Sequence, residues 1–400
     1  MTSDRSSESG TKGRLVEIST PYRPRFWDIA FVQDCNLRCA YCCTGYGCRG
    51  GPRKVMDEQT ANRLIELLDA MSEGNDSISI QFGTGETFLH FDRAMAVIDR
   101  LHERLNKRNS RVRVLITTNG TLADEAKLQA CLDRRVSLAF SIDGEAEGHN
   151  HSRQTAGGQP THHLAIKNWG RYREMIASVP DPPVCDLNSV VTETNRLPSI
   201  VEYWKKLGVQ NFKAVPAEPA MGADPSGQEL FQVRRQQYLE DIARLTENEC
   251  VRPPGGTLTN AYVPSGIRAY WETLSKPTIF HPCGSGYSAV GVDAAGNLYP
   301  CQLFIGHEKY ILGTVADGPD PGKVTAFREQ RARASAQCAA CWARFLCHDG
   351  CCATDPESGV TVNAHGECEF IRAVAEIAMR TYQAFSSASR KAPDAEAVKL

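Results

Sequence analysis

The chain has 400 residues, with 45 Lys and Arg against 47 Asp and Glu and a formal net charge of -2, and no basic block stands out. This balance excludes a typical nucleic-acid-binding protein, which needs a clustered surplus of positive charge. The polar N-terminus lacks the apolar centre of a signal peptide, and no apolar run approaches the roughly 20 residues that span a bilayer, so we expect a cytoplasmic protein without membrane contacts.

From about residue 21 to 225, apolar segments of strand length alternate with longer segments of helical periodicity, after a polar tail (1–20) that we expect to be disordered. Asp57 suits the N-cap of the first helix, and Pro198 and Gly208 suit the two ends of the last one. Such repeated strand–helix units predict an α/β fold with parallel strands, in either a doubly wound sheet or a barrel. We expect the strands near residues 27–33, 77–82, 111–116, 136–142, 184–191 and 210–215.

Three cysteines follow the first predicted strand in the sequence CNLRCAYC, at Cys35, Cys39 and Cys42. This C-x3-C-x2-C spacing can hold three corners of a four-iron cluster and leaves one iron without a protein ligand. A cluster that only carries electrons is normally closed by four cysteines, so the open iron indicates that a further molecule binds there. A zinc site is the alternative, although zinc favours paired C-x2-C units and four ligands.

The motif resembles that of the radical S-adenosylmethionine (SAM) superfamily. The resemblance implies a partial (β/α)6 barrel over residues 21–225, with the chemistry at the carboxyl ends of its strands. It also implies that the open iron binds SAM and that Cys35, Cys39 and Cys42 hold the radical-initiating, catalytic cluster. An electron from a donor such as flavodoxin or ferredoxin would then cleave SAM and yield a 5′-deoxyadenosyl radical, which abstracts hydrogen from the substrate.

The second predicted strand is followed by a glycine-containing turn that includes Thr84, Gly85 and Glu86. Glycine lets the backbone approach a ligand closely, and a carboxylate can accept hydrogen bonds from an ammonium group. The turn resembles the Gly-Gly-Glu motif of the superfamily, which binds the amino group of SAM. The resemblance therefore implies that Glu86 has this role, with Thr84 in place of the usual glycine.

Ser141 ends the fourth predicted strand, and on the residues alone the Asp-Gly pair that follows could simply close that strand with a turn. By resemblance to the superfamily, Ser141 contacts the SAM ribose, Arg153 pairs with the SAM carboxylate, and Tyr41 lies beside the adenine. Cys43 and Cys48 fall outside the family's ligand set. Cysteine is also a common small buried hydrophobe, so we expect these two to pack rather than to bind metal.

Of the eight cysteines from residue 283 onward, seven lie in an order that resembles the SPASM domain. That domain holds two auxiliary four-iron clusters in enzymes that modify peptides and proteins. The resemblance assigns Cys338, Cys341, Cys347 and Cys368 to a distal cluster, and Cys283, Cys301 and Cys351 to a nearer one. The expected cofactors are thus three [4Fe-4S] clusters and SAM, with one or two structural zinc sites as the alternative.

The nearer cluster lacks one cysteine that fully ligated SPASM members carry shortly after the first, because residues 284–290 (GSGYSAV) contain none. One iron of this cluster could therefore have no protein ligand. Alternatively, Cys352, a non-cysteine side chain or a substrate thiolate could bind that iron. Gln302 is a second departure. The anaerobic sulfatase-maturing branch has an aspartate there, assigned as the base, whereas glutamine has no titratable proton near neutral pH.

The remaining segments complete the expected organisation: a helical and Pro/Gly-rich bridge over 226–282, the SPASM region over 283–370, and a C-terminal helix and tail over 371–400. No single acid or base stands out. Several histidines are candidates, and a lone histidine is more often structural or exposed than catalytic: His149, His151, His162, His163, His307, His348 and His365.

The resemblance covers roughly residues 27–370, and the stretch that begins at Tyr299 is similar to maturases of ribosomally made peptides. It implies a radical SAM peptide maturase that forms a thioether or carbon–carbon crosslink, or another oxidative modification, in a precursor peptide. A dehydrogenase similar to the anaerobic sulfatase maturases, acting on a protein side chain or a small alcohol, is the second hypothesis. A non-catalytic iron–sulfur electron carrier is the third.

Many peptide maturases begin with a winged-helix module that binds the leader of the precursor peptide. Only about 26 residues precede the predicted barrel here. We therefore expect either a separate leader-recognition protein or leader binding by the barrel and the bridge.

Overall fold

The computed structural model describes residues 22–48, 51–74, 77–106, 111–218, 225–250, 262–275, 283–335, 338, 340–347, 351, 353 and 367–391. Several sequence predictions lie outside these residues. They are the N-terminal tail, most of the Pro/Gly-rich part of the bridge, the end of the C-terminal tail, and the candidates His348, Cys352 and His365.

The described strands are β1 (Phe26–Ile29), β2 (Val32–Gln33), β3 (Lys54–Val55), β4 (Ser77–Phe82), β5 (Arg111–Thr118), β6 (Ser137–Ser141), β7 (Cys185–Val191), β8 (Lys213–Pro216), β9 (Ala289–Val292), β10 (Asn297–Tyr299), β11 (Gly313–Thr314) and β12 (Gly318–Pro319). The described helices are α1 (Glu58–Met71), α2 (Phe91–Asn106), α3 (Glu125–Asp133), α4 (Ala146–Ser152), α5 (His162–Ile176), α6 (Leu197–Lys206), α7 (Pro225–Cys250), α8 (Ser265–Ser275), α9 (Pro321–Ser335), α10 (Arg344–Cys347) and α11 (Glu367–Lys391). The predicted alternation of strands and helices over the first half is confirmed.

Ten of the described strands form one sheet in the order β12-β11-β10-β9-β1-β4-β5-β6-β7-β8. Six of them, β1 and β4 to β8, are parallel and follow one another in chain order. A doubly wound sheet reverses its strand order part-way. The continuous strand order seen here is instead that of a (β/α) barrel. The barrel is not closed, because β1 pairs with β9 on its other side and not with β8.

The first predicted strand is wrong in one respect, because residues 27–33 do not form a single strand. β1 ends at Ile29, where its pairing with β4 and β9 ends. The chain then leaves the large sheet, and β2 pairs antiparallel with β3. This change of partner carries the chain away from the barrel wall and into the cysteine loop.

The two faces of the parallel strands differ in burial. One face carries core side chains such as Ile80, Val114 and Leu138. On the opposite face, Thr117 and Ser141 are only partly buried, and Val215 is 40% exposed. The inner face of the barrel is therefore accessible beside the carboxyl ends of the strands, where the predicted site lies.

The C-terminal region continues the barrel sheet, because β9 pairs parallel with β1. It has its own small core, in which Phe304, Tyr310 and Phe327 pack together. Helix α11 begins at Glu367 and packs against α7 and α8 of the bridge, where Trp271 Nε1 donates to Ala378 O at 3.1 Å. Within the described ranges, no helix combines the length and the apolar composition needed to cross a membrane.

Candidate active site

The three cysteines of CNLRCAYC line one cavity of about 350 Å³ at the carboxyl ends of the barrel strands. The structure brings five of the six predicted SAM-binding residues to the same cavity: Tyr41, Gly85, Glu86, Ser141 and Arg153. Thr84 is buried, and it is not among the described residues that line the cavity. Cys43, which we expected only to pack, does line it.

Hydrogen-bond donors lie next to each of the three thiols. Leu37 N donates to Cys35 Sγ at 3.4 Å, and Tyr46 N donates to Cys42 Sγ at 3.1 Å. The guanidinium of Arg153 lies 4.0 Å from Cys39 Sγ. Such N–H groups favour the thiolate form, which is the form that binds iron.

Burial raises the pKa of the Cys35 thiol to about 12, so the protein alone does not keep this thiol ionised. Ligation to iron supplies the positive charge that deprotonates a coordinating thiol. Among the described residues, no three His, Cys, Asp or Glu side chains converge on a single ion position. A four-iron cluster binds each thiolate through a different iron, so thiols spaced around a cavity fit a cluster rather than one ion.

Gly85 brings the turn after β4 against the chain that leads into the cysteine loop. Its φ is +73°, and an added Cβ would lie 2.1 Å from Val32 O and 2.6 Å from Asp34 O. Glu86 N donates to Asp34 O at 2.8 Å, which ties the two segments together. Only glycine allows this close approach, which places Glu86 beside the three thiols.

The Glu86 carboxylate is 1% exposed and forms several hydrogen bonds at the end of β5. It accepts from Asn119 N at 2.7 Å, from Thr118 Oγ1 at 2.9 Å, and from Phe88 N at 3.0 Å. Burial raises the pKa of Glu86, whereas these donors oppose the rise. Thr118 and Asn119 were not predicted as site residues, although a Thr-Asn-Gly sequence close to the end of a predicted strand was the available signal.

Asp143 organises the opposite side of the cavity, although the sequence indicated only a turn there. Its Oδ2 atom accepts from Arg153 Nε at 3.0 Å and from the Tyr41 hydroxyl, and its Oδ1 atom accepts from Val190 N at 2.9 Å. The Arg153 guanidinium lies 5.5 Å from the centre of the Tyr41 ring. A single buried carboxylate thus fixes both Arg153 and Tyr41.

A chain of hydrogen bonds through His149 and Thr161 lies behind the Asp143 carboxylate. Asp143 N donates to His149 Nδ1 at 3.2 Å, so His149 carries its proton on Nε2 and donates to Thr161 Oγ1 at 3.1 Å. Thr161 Oγ1 in turn donates to Arg153 O at 2.7 Å. Burial, with Arg153 and His162 nearby, lowers the pKa of His149 to about 2, so it stays neutral. His149 therefore positions Asp143 and Thr161 through these hydrogen bonds.

Residues 29–178 match the family model described as the Radical SAM superfamily. The chain contains a radical SAM domain. This match implies one [4Fe-4S] cluster and SAM as cofactors, in agreement with the cavity. The match also covers the cysteine loop, Glu86, Ser141, Asp143 and Arg153.

The chain is similar along most of its length to an uncharacterized protein of Archaeoglobus fulgidus, with 25% identity over 91% of this chain and 82% of that one. It is also 22% identical to a cysteine-type anaerobic sulfatase-maturating enzyme of Clostridium perfringens strain 13, over 79% of this chain and 85% of the enzyme. Both similarities extend well beyond the residues that match the family model.

Solved structures share the fold of this chain, and two of them are described below. Native anSMEcpe with bound AdoMet superposes with a TM-score of 0.72 at 18% identity, covering 91% of this chain and 99% of that one. SuiB of Streptococcus suis bound to S-adenosylmethionine gives a TM-score of 0.52 at 16% identity, covering 82% and 73%. The similarity to anSMEcpe extends beyond the barrel into the C-terminal region.

The structure brings together Cys283, Cys301 and Cys351, the three cysteines assigned to the nearer auxiliary cluster. Burial raises the pKa of Cys301 to about 12, and the neighbouring thiols of Cys351 and Cys283 act in the same direction. Cys301 and Cys351 both border the small C-terminal core. A thiol whose pKa is raised, with two further thiols beside it, suits a metal centre, which would stabilise the thiolates.

The four cysteines assigned to the distal cluster lie in and just before α10 and at the start of α11. Cys338 and Cys341 lie in one turn, where Cys341 N donates to Cys338 O at 3.0 Å, and Cys347 ends α10. Cys368 is exposed in the first turn of α11, which contacts α10. The C-terminal helix therefore begins before the expected boundary at residue 371 and includes one of the candidate ligands.

Proposed function

We propose that this radical SAM protein is a peptide maturase that forms a thioether or carbon–carbon crosslink, or another oxidative modification, in a ribosomally made precursor peptide. The main support is one cavity that joins the cysteine triad to oppositely charged groups and lies beside an accessible inner barrel face. Cys35, Cys39 and Cys42 would hold the cluster that binds SAM. When bound, these cofactors supply the 5′-deoxyadenosyl radical.

The charges around the cavity suit the amino-acid end of SAM, which carries an ammonium and a carboxylate group. Glu86 supplies a buried carboxylate for the ammonium, and a positive ligand there would offset the burial that raises the pKa of Glu86. Arg153 supplies the positive charge for the SAM carboxylate, held in place by Asp143. Ser141 lines the same cavity and would contact the ribose, with Tyr41 beside the adenine.

A peptide substrate is supported by the accessible inner face and by two structural relatives. Thr117, Val190 and Val215 extend the lining of the cavity across β5, β7 and β8. The anSMEcpe enzyme has been solved with a bound Cp18Cys peptide, and SuiB with its precursor peptide SuiA. We extend peptide binding from these proteins to this chain, with the reacting residue approaching along the inner face.

A sulfatase-maturase-like activity is the second candidate, favoured by the higher TM-score with anSMEcpe and by the Clostridium perfringens relative. Gln302 weighs against it. The resemblance places the catalytic aspartate of that branch at this position, and an amide cannot accept the proton. In the structure, Gln302 begins a short 3-10 helix, and its backbone N–H donates to the buried Asp28.

Anaerobic reconstitution tests the proposal against the third hypothesis, an electron carrier or zinc protein. We expect about 12 irons per chain, from three four-iron clusters, and release of 5′-deoxyadenosine on reduction with SAM. The triple variant Cys35→Ala, Cys39→Ala, Cys42→Ala should retain about eight irons and lose SAM cleavage. Cys185→Ala is the matched control, since this half-buried thiol is not among the residues that line the cavity.

Two further results test which peptide is modified and whether the radical SAM cluster and the auxiliary clusters have separate ligands. Mass spectrometry of a co-expressed precursor peptide should show a modification, whereas a serine- or cysteine-bearing sulfatase peptide should remain unchanged. The reverse pattern would favour the sulfatase-maturase hypothesis. Zinc in place of iron, absence of 5′-deoxyadenosine, or complete loss of iron in the triple variant would contradict the proposed centre.

A further inference from the structure

The turn after Cys283 is folded tightly against the strand end that carries Cys301. Gly284 O accepts hydrogen bonds from Tyr287 N, Ser288 N and Ala289 N at 2.8–2.9 Å. Gly286 N then donates to Pro300 O at 3.1 Å, directly before Cys301. Ser285 lies between these two anchor points and is therefore fixed beside the group of three thiols.

Two arginines of α9 hold the backbone of this turn. Arg331 Nη1 donates to Ser285 O at 2.7 Å, and Arg328 Nε donates to Gly286 O at 2.8 Å. Both guanidinium groups also lie over the Tyr287 ring, 4.5 Å from its centre for Arg328 and 5.4 Å for Arg331. The position of Ser285 is thus set by contacts outside the cysteine group.

The Ser285 side chain is completely buried, at 0% exposure, and its hydroxyl lies beside the Cys301 thiol. Within the described residues, Ser285 Oγ completes no hydrogen bond of ordinary geometry. Buried hydroxyl groups almost always have a partner, because leaving one without a partner costs free energy. The hydroxyl lies beside the Cys301 thiol and lowers its pKa, and Cys283 and Cys351 are further neighbours of that thiol, so the hydroxyl is placed to bind the same group as the three thiols.

We propose that Ser285 Oγ is the fourth protein ligand of the nearer auxiliary cluster, together with Cys283, Cys301 and Cys351. Ser285 lies within residues 284–290, where fully ligated relatives carry a cysteine, and serine differs from cysteine only by oxygen in place of sulfur. On ligation the hydroxyl proton passes to solvent, the alkoxide oxygen binds iron, and no electron is exchanged. The inference rests on the proposed function, because it presupposes the auxiliary cluster.

This assignment has a chemical consequence for the proposed function. A cluster closed by four protein ligands has no position for a substrate thiolate, so the substrate would not be anchored at the nearer cluster. An alkoxide is a harder donor than a thiolate and stabilises ferric iron more strongly. Ser285 would therefore hold the potential of this cluster below that of an all-cysteine cluster and suit it to electron transfer.

The test uses the full chain with Cys35, Cys39 and Cys42 replaced by Ala, so that only auxiliary clusters contribute. Isotope-labelled cyanide is added to the reduced protein, and pulsed electron paramagnetic resonance detects any label bound to iron. We expect no bound label in this background, about one bound equivalent after Ser285→Ala, and none after Ser285→Cys. Ser285→Cys should also raise the reduction potential of one cluster. Ser288→Ala, an exposed serine of the same turn, should behave as the background does.

The outcomes separate the two proposals. About eight irons in the background, with cyanide bound equally before and after Ser285→Ala, would overturn the Ser285 ligand and leave the auxiliary clusters in place. Absence of iron from the background would overturn both proposals. If Ser285→Ala does not fold, Ser285→Cys decides alone: an unchanged spectrum and potential would overturn the ligand, and a shift in both would support it.

Discussion

Asp143→Asn should destabilise the barrel, because it removes the negative charge that Arg153 and Tyr41 share. The Asp143 side chain is 1% exposed and that of Arg153 is 10% exposed, so water cannot replace the lost partner of the guanidinium. Breaking a buried ion pair by removing one partner typically costs about 3–5 kcal/mol. The amide oxygen of Asn can still accept one hydrogen bond, so we expect a loss near the lower end, about 3 kcal/mol.

Urea unfolding of the full-length protein, followed by tryptophan fluorescence, measures this loss. Trp204 is a suitable reporter, since its Nε1 donates to Ser189 Oγ at 3.1 Å, and Ser189 Oγ donates to Ile142 O next to Asp143. The matched control is Asp181→Asn, which removes an exposed carboxylate paired with Arg135. Exposed pairs contribute little, so the control should unfold at the same urea concentration as the wild type.

The same variant should bind SAM more weakly, because Asp143 holds both Arg153 and Tyr41 at the cavity. We expect the Kd of the reconstituted enzyme for SAM to rise by roughly tenfold, which corresponds to about 1.4 kcal/mol. Calorimetric titration measures this change. Equal unfolding midpoints for Asp143→Asn and Asp181→Asn, or an unchanged Kd, would refute the conclusion that one buried carboxylate organises this side of the site.

Two further changes test the local geometry. Gly85→Ala places a Cβ 2.1 Å from Val32 O, at a position where the backbone is in the left-handed conformation. We expect this variant to lose SAM binding in a calorimetric titration. Gly170→Ala is the control and should leave binding intact, because no atom lies within 4 Å of the new Cβ. Burial raises the pKa of Asp28 to about 7, so the folded chain retains a proton that the unfolded chain releases above about pH 4. The free energy of unfolding should therefore fall by a few kcal/mol as the pH rises from about 4 to 7 and then level off. Urea unfolding at a series of pH values measures this profile, and Asp28→Asn should flatten it. Identical pH profiles for the variant and the wild type would argue against the burial of Asp28.

Local sequence patterns predicted most of the elements correctly because their causes lie within a few residues. Asp57 caps α1 by accepting from Thr60 N at 2.7 Å, and Pro198 lies in the first turn of α6. The spacing of Cys35, Cys39 and Cys42 likewise depends on one short loop. Alternation and capping act over single elements, so the chain order of strands and helices can be predicted without knowledge of their packing.

Only the tertiary structure decided which distant groups meet. The strand order depends on hydrogen bonds between strands far apart in the chain, and β9 joins β1 across more than half the sequence. The Tyr41–Asp143 contact spans 102 residues, and Ser285 is placed beside Cys301 by arginines of a later helix. Such partners satisfy the charge and the polar groups that burial would otherwise leave unpaired, and burial is a property of the folded chain. The sequence alone determined the spacing of Cys35, Cys39 and Cys42, whereas the network that holds Arg153 and the neighbours of the Cys301 thiol required the three-dimensional packing.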